Sequence, residues 1–170
     1  MEGVLEVDAP IPTHQMEVKR IYFIRHAAAL ERRLWHHVDH QRPLNEHGYG
    51  QAEKLFRRLR AARIERVISS PALRCTDTVW PLAKALGLAI VKHDALFEGA
   101  SARAALALMR RTRARRAAMC THGDVMEDVL DELVRCGVHL DGGMRLAKGA
   151  YWVLDLGDEG VTHAVYHRAP

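Results

Sequence analysis

Strand-like and helix-like periods take turns along this chain, and few architectures accept that order. Val18 to Ile24 reads as a first strand, an apolar run ending on Arg25-His26. Asn45 opens a helix whose apolar positions Ala52, Leu55, Phe56 and Leu59 recur three and four residues apart, on one face. A short strand is expected at Arg66 to Ser69, followed by Ser70-Pro71, residues suited to a helix cap and first turn. The helix that follows carries Cys75, Val79, Leu82 and Leu86 on one side and stops at Gly87. Leu88 to Lys92 is a third strand, Ala102 to Arg113 a helix, Ala117 to Thr121 a fourth strand, and Asp124 to Arg135 a helix closed by Gly137. Ala150 to Asp155 and Val161 to Tyr166 read as a hairpin across Gly157 to Gly160. Such alternation predicts an α/β fold, a mostly parallel central sheet with helices on both faces, in a single compact domain.

Residues 1–17, with Pro10 and Pro12 and no steady period, are expected to form a loose arm before a domain at 18–168. No stretch resembles a signal peptide or reaches the ~18 apolar residues of a membrane span, so no membrane partner and a cytoplasmic setting are expected. Cys75, Cys120 and Cys136 are an odd number without C-x-x-C spacing, which fits free thiols in a reducing compartment. The formal charge of +4 favours an anionic ligand.

In open α/β sheets ligands bind beyond the carboxyl ends of the strands. His26 ends the first strand and His122 the fourth, each followed by a small residue, Ala27 and Gly123. Arg25 accompanies the first, and Arg74 falls in the first turn of the helix after the second strand. Two imidazoles and two guanidiniums at one edge suit a phosphoryl group, because the forked donors of arginine match phosphate oxygens. A neutral imidazole whose other nitrogen is held by a backbone carbonyl can attack phosphorus.

These residues resemble the histidine phosphatase superfamily, the phosphoglycerate-mutase-like fold. Arg25-His26-Ala27 is similar to its R-H-G or R-H-A signature, RPLNEHGYGQAEKL (42–55) to its R-P-L-T segment, VISSPALRCTDT (67–78) to the segment bearing its second phosphate arginine, and MCTHGDV (119–125) to its second-histidine motif. The resemblance implies His26 as the nucleophile that becomes phosphohistidine. It implies Arg25, Arg74, His122 and Gly123 around the phosphate, His122 also in catalysis, and Glu98 of Leu96-Phe97-Glu98 as proton donor. It implies no cofactor and no metal. The short body looks most like the SixA-type phosphohistidine phosphatases, with phosphohistidine proteins or small phosphate monoesters as expected substrates. The alternatives are a phosphoryl transferase of the mutase kind and a non-catalytic phosphate-binding domain. Ala29 and Arg32 stand where larger members have threonine and asparagine, which argues against the mutase. Asp77 replaces the more usual glutamine.

Three features compete for attention. In WHHVDHQ (35–41), His36 and His40 would share a helix face, but His36, His37 and His40 are expected to border the pocket or face water rather than bind metal. RRTRARR (110–116) reads as a solvated helix end, since no aromatic interleaving supports nucleic-acid binding. Cys120 lacks the Cys-x5-Arg loop of a thiol phosphatase, Met126 holding the arginine position, and is expected to be a small buried hydrophobe. The loops at 27–41 and 99–103 carry specificity without a readable code, and the oligomeric state is not encoded legibly.

Overall fold

A computed structural model describes residues 18–170; the expected arm at 1–17 lies outside the described residues. Among the described residues seven strands form one mixed sheet: β1 (Lys19–Arg25), β2 (Arg66–Ser69), β3 (Ile90–Lys92), β4 (Arg116–Thr121), β5 (Leu140–Asp141), β6 (Tyr151–Gly157) and β7 (Gly160–His167). Their order is β3-β2-β4-β1-β6-β7-β5. The β3, β2, β4 and β1 strands run parallel, β6 and β7 continue antiparallel, and β5 rejoins β7 in parallel. The fold is thus α/β and mostly parallel, as the alternation required. β5 was not expected: two residues are too few for a period to register.

Among the described residues four helices cover the sheet: α1 (Glu46–Leu59), α2 (Leu73–Leu86), α3 (Ala102–Arg111) and α4 (Gly123–Arg135). The side-chain alternation of the strands sorts them into two layers. Ile21 and Phe23 of β1 join Met119 of β4 and Val129 of α4 in one apolar cluster. Tyr22 and Ile24 turn the other way, onto Leu55 of α1 and Val79 of α2, with Cys120 beside them. Burial pushes the Cys120 thiol well up from its ordinary value, so it behaves as the inert small hydrophobe expected.

Local signals set most boundaries. The Asn45 side chain accepts from Gly48 N at 2.8 Å and caps α1. Gly87 ends α2 at φ +65°, a conformation that favours glycine. Two readings need correction. α2 begins at Leu73 with Ala72 at its cap, so Ser70 does not cap it; its hydroxyl is used elsewhere. Nor is 35–41 an α-helix: the segment carries only a short 3-10 turn at Asp39–Gln41, and His36, His37 and His40 are exposed. A helix-face pairing of His36 with His40 therefore does not exist, because Pro43 and the return of the chain to Ala29 hold this loop open. Among the described residues no helix is long and apolar enough to cross a membrane, and no group of three or more His, Cys, Asp or Glu is placed to hold a metal ion.

Candidate active site

Because β1, β2, β3 and β4 are parallel, their carboxyl ends meet at one edge of the sheet. His26, Ser70 and His122 each follow directly on a strand there, and Glu98 comes after the 3-10 turn Asp94–Leu96 that follows β3. A cavity of ≈ 300 Å³ opens at this edge, with Arg25, His26, Glu98, His122 and Gly123 among its lining. The imidazoles of His26 and His122 meet edge to face, ring centroids 5.3 Å apart.

His26 is held by its backbone and its ring. Its N–H donates to Thr121 O at 3.0 Å, extending the β1–β4 ladder. A carbonyl can only accept, so the 2.8 Å contact from Nδ1 to Ala27 O places the ring proton on Nδ1. Nε2 keeps its lone pair. Burial, with His122, Arg74 and Arg25 adding to it, pushes the His26 pKa down from 6.5 to about 3 against the opposing Ala27 bond, so the ring is neutral near pH 7. Ala27 N donates to Thr78 Oγ1 at 2.9 Å, and Thr78 donates to Arg74 O at 2.6 Å, tying the loop after β1 to α2.

His122 is fixed from both sides. A guanidinium cannot accept, so Arg74 Nη2 donates to His122 Nδ1 at 3.3 Å, and Nε2–H is directed to Ser70 Oγ at 2.8 Å. Cys75 Sγ lies 3.5 Å from the same Nε2. Ser70, a residue that reads in sequence as helix-cap chemistry, therefore orients the second histidine.

Arg74 is 2% exposed and lies behind the cavity wall. Its Nη2 bonds Glu98 Oε2 at 3.0 Å and Asp39 Oδ2 at 3.2 Å, while Nη1 donates to Asp39 O at 3.0 Å. Arg25 donates from Nη1 to Leu146 O and packs flat over Gly123, where a Cβ would come within 2.8 Å of its guanidinium. Among the described residues, the buried side-chain polar atoms without a hydrogen-bond partner are Arg25 Nε and Arg74 Nε. Buried unpaired donors are costly unless a ligand or water meets them.

The sequence-predicted set of Arg25, His26, Arg74, Glu98, His122 and Gly123 thus converges on one edge. Asp39 was missed. Its carboxylate lies 3.0 Å from Arg42, 3.2 Å from Arg74 and 3.2 Å from Arg32, and these guanidiniums hold its pKa below the usual value despite the opposing effect of burial. In sequence it is one carboxylate among three histidines within five residues, four residues before Pro43. Gln51 was also missed as a brace: it accepts from Ala28 N at 2.9 Å and donates to Lys148 O at 3.0 Å. Asp77 accepts from Tyr49 OH at 3.1 Å, linking α2 to α1, which gives the departure from glutamine a structural partner.

Known proteins resemble this chain in sequence and in fold. A curated relative from Mycolicibacterium smegmatis, named 8-oxo-(d)GTP phosphatase, is 29% identical over 163 residues, which span 91% of this chain and 50% of that protein. The chain thus spans about half the length of that relative. A solved structure from Agrobacterium tumefaciens, provisionally assigned as the phosphohistidine phosphatase SixA, aligns with a TM-score of 0.66 and 26% identity, covering 81% of this chain and 92% of that one. The protein histidine phosphatase SixA complexed with tungstate shares the fold, with a TM-score of 0.70 at 18% identity over 88% of this chain and 94% of that one. Residues 21–101, which hold the first histidine, Arg74 and Glu98, match the histidine phosphatase superfamily (branch 1). With the second histidine at the end of β4 beside the first, the chain is similar to the histidine phosphatase superfamily over these residues.

Proposed function

We propose that this chain is a phosphatase that passes the phosphoryl group through His26. The observation that carries this reading is the pair of buried, unpartnered guanidinium nitrogens, one on each arginine flanking the two imidazoles. A tetrahedral oxyanion bound beside the imidazoles draws its counter-charge from these two guanidiniums. In the cycle, His26 Nε2 attacks phosphorus while Arg25 and Arg74 take the charge of the non-bridging oxygens, and His122 joins them by turning its Nε2–H from Ser70 to a phosphate oxygen. The P–O bond to the leaving group breaks, and Glu98 donates a proton to the departing oxygen. Water then attacks the phosphohistidine and returns a proton to Glu98. No metal enters this cycle, since protein cations take up the phosphate charge.

Several groups are needed because uncatalysed phosphate-monoester hydrolysis is among the slowest of biological reactions, requiring ~20 kcal/mol or more of barrier reduction. Removing one preorganised donor costs about 3 to 4 kcal/mol, so covalent catalysis, charge neutralisation and proton donation combine. Substrates are phosphohistidine proteins or small phosphate esters, in line with the SixA neighbours, and the curated relative's name adds a nucleoside triphosphate to the classes worth testing. The SixA neighbour bound to tungstate makes tungstate or vanadate a suitable inhibitor. The test is a substrate panel read as inorganic phosphate. His26→Ala is expected to lose about 10⁴-fold or more in kcat; phosphate release equal to wild type refutes the nucleophile.

A further inference from the structure

We propose that Arg32 selects for the leaving group, favouring phosphoanhydrides, whose leaving group is itself a phosphate, over simple monoesters. The proposal rests on the reading of His26 as nucleophile and Glu98 as proton donor. Arg32 lies on a 3-10 turn, Arg32–Leu34, inside a loop stapled at its base. Ala29 bridges to Leu44, Leu30 N donates to Pro43 O at 2.9 Å, and Arg42 Nη1 donates to Leu30 O at 2.6 Å. The loop thus presents the Arg32 side chain, 69% exposed, from a braced frame.

That side chain stands one carboxylate away from the buried arginine of the site. Glu98 Oε2 is 3.0 Å from Arg74 Nη2, and Glu98 Oε1 is 3.8 Å from Arg32 Nη2. A leaving oxygen that takes its proton from Glu98 must lie against this carboxylate. The next group along the substrate then comes within reach of Arg32. Asp124 and Glu127 also line the cavity, with Asp124 Oδ2 accepting from Gly99 N at 2.7 Å beside Glu98. The pairs that Arg32 now makes, with Asp39 at 3.2 Å and Glu98 at 3.8 Å, are exposed and weak, so an incoming phosphate displaces them readily. An arginine fork matches phosphate oxygens in a way that suits this position.

For an anhydride the step balances as follows. His26 Nε2 forms the P–N bond as the bridging P–O bond breaks. The electron pair departs on the bridging oxygen of the second phosphate, which takes the Glu98 proton and whose charge Arg32 meets. Water then cleaves the P–N bond, leaving one proton on the new P–OH and returning the other to Glu98.

The test compares kcat/KM for ADP or inorganic pyrophosphate with that for p-nitrophenyl phosphate, in wild type, Arg32→Ala, Arg32→Lys and His26→Ala. The anhydride-to-monoester ratio is expected to fall about tenfold in Arg32→Ala, the scale of one lost charge-assisted contact, with partial recovery in Arg32→Lys. A fall of less than about threefold, or no wild-type turnover of either anhydride, overturns the proposal, because a fork worth its place must discriminate by more than that. If His26→Ala abolishes monoester hydrolysis while the ratio stays put, this inference fails and the nucleophile stands. If His26→Ala retains wild-type activity on both probes, the underlying reading fails as well.

Discussion

Gly123 is the residue where space matters most. Its missing side chain leaves room for the guanidinium of Arg25, with Nη2 and Cζ 2.8 Å from where a Cβ would sit. Its backbone lies in no unusual conformation and opens α4, where alanine is the better helix former. Gly123→Ala should therefore separate stability from ligand binding. Thermal unfolding is expected to stay within about 1 kcal/mol of wild type, while the inhibition constant for vanadate or phosphate rises roughly tenfold as Arg25 is displaced. An unaltered inhibition constant would mean that Arg25 does not touch the bound anion. Gly123 is legible in sequence only as a small neighbour of His122; the reason it must be small is a contact from β1, nearly a hundred residues away.

Elements meet at the site because backbone groups of the loop after β1 are caught by helices. Ala28 O accepts from Asn45 N at 3.0 Å, and a Cβ on Gly48 would lie 1.9 Å from that same oxygen. Backbone cannot give way as a flexible side chain does, so Gly48→Ala should push α1 off the loop. The expected cost is about 1 to 3 kcal/mol in urea unfolding, with a fall in kcat because Ala28 follows His26 by two residues. Equal stability in the variant would show that α1 docks more loosely than this contact requires. The order of strands and helices could be read from apolar period alone, since burial on one or two faces leaves a repeating trace in the sequence. The braces could not. Ser70, Thr78, Gln51 and Asp39 act through partners on other elements, and spacing along the chain holds no record of which hydroxyl, amide or carboxylate faces which ring. Asp39 is the clearest case: a loop carboxylate gathering Arg32, Arg42 and Arg74 has meaning only once the loop has folded back over α2.

For the whole molecule, His26 links the site to the stability of the fold. Its folded pKa of about 3 lies below the unfolded value near 6.5, so between these limits the unfolded chain binds more protons. Above pH 6.5 the ring is neutral in both states and contributes no pH dependence. As pH falls from 6.5 toward 3, unfolding is increasingly favoured, and the slope ends below the folded pKa. His26→Asn should flatten the loss of stability across that window, measured by denaturant unfolding at pH 7, 5.5 and 4.5; parallel curves for the two proteins would place the His26 ring in water. The sheet has a further consequence at its rims. β3 has three residues and β5 only two, so the long strands lie inside. A foreign strand seeking backbone partners would find a very short row of open amides and carbonyls at either side, too little to template continued pairing. Chains that collide while folded thus have little means of joining edge to edge into fibrils.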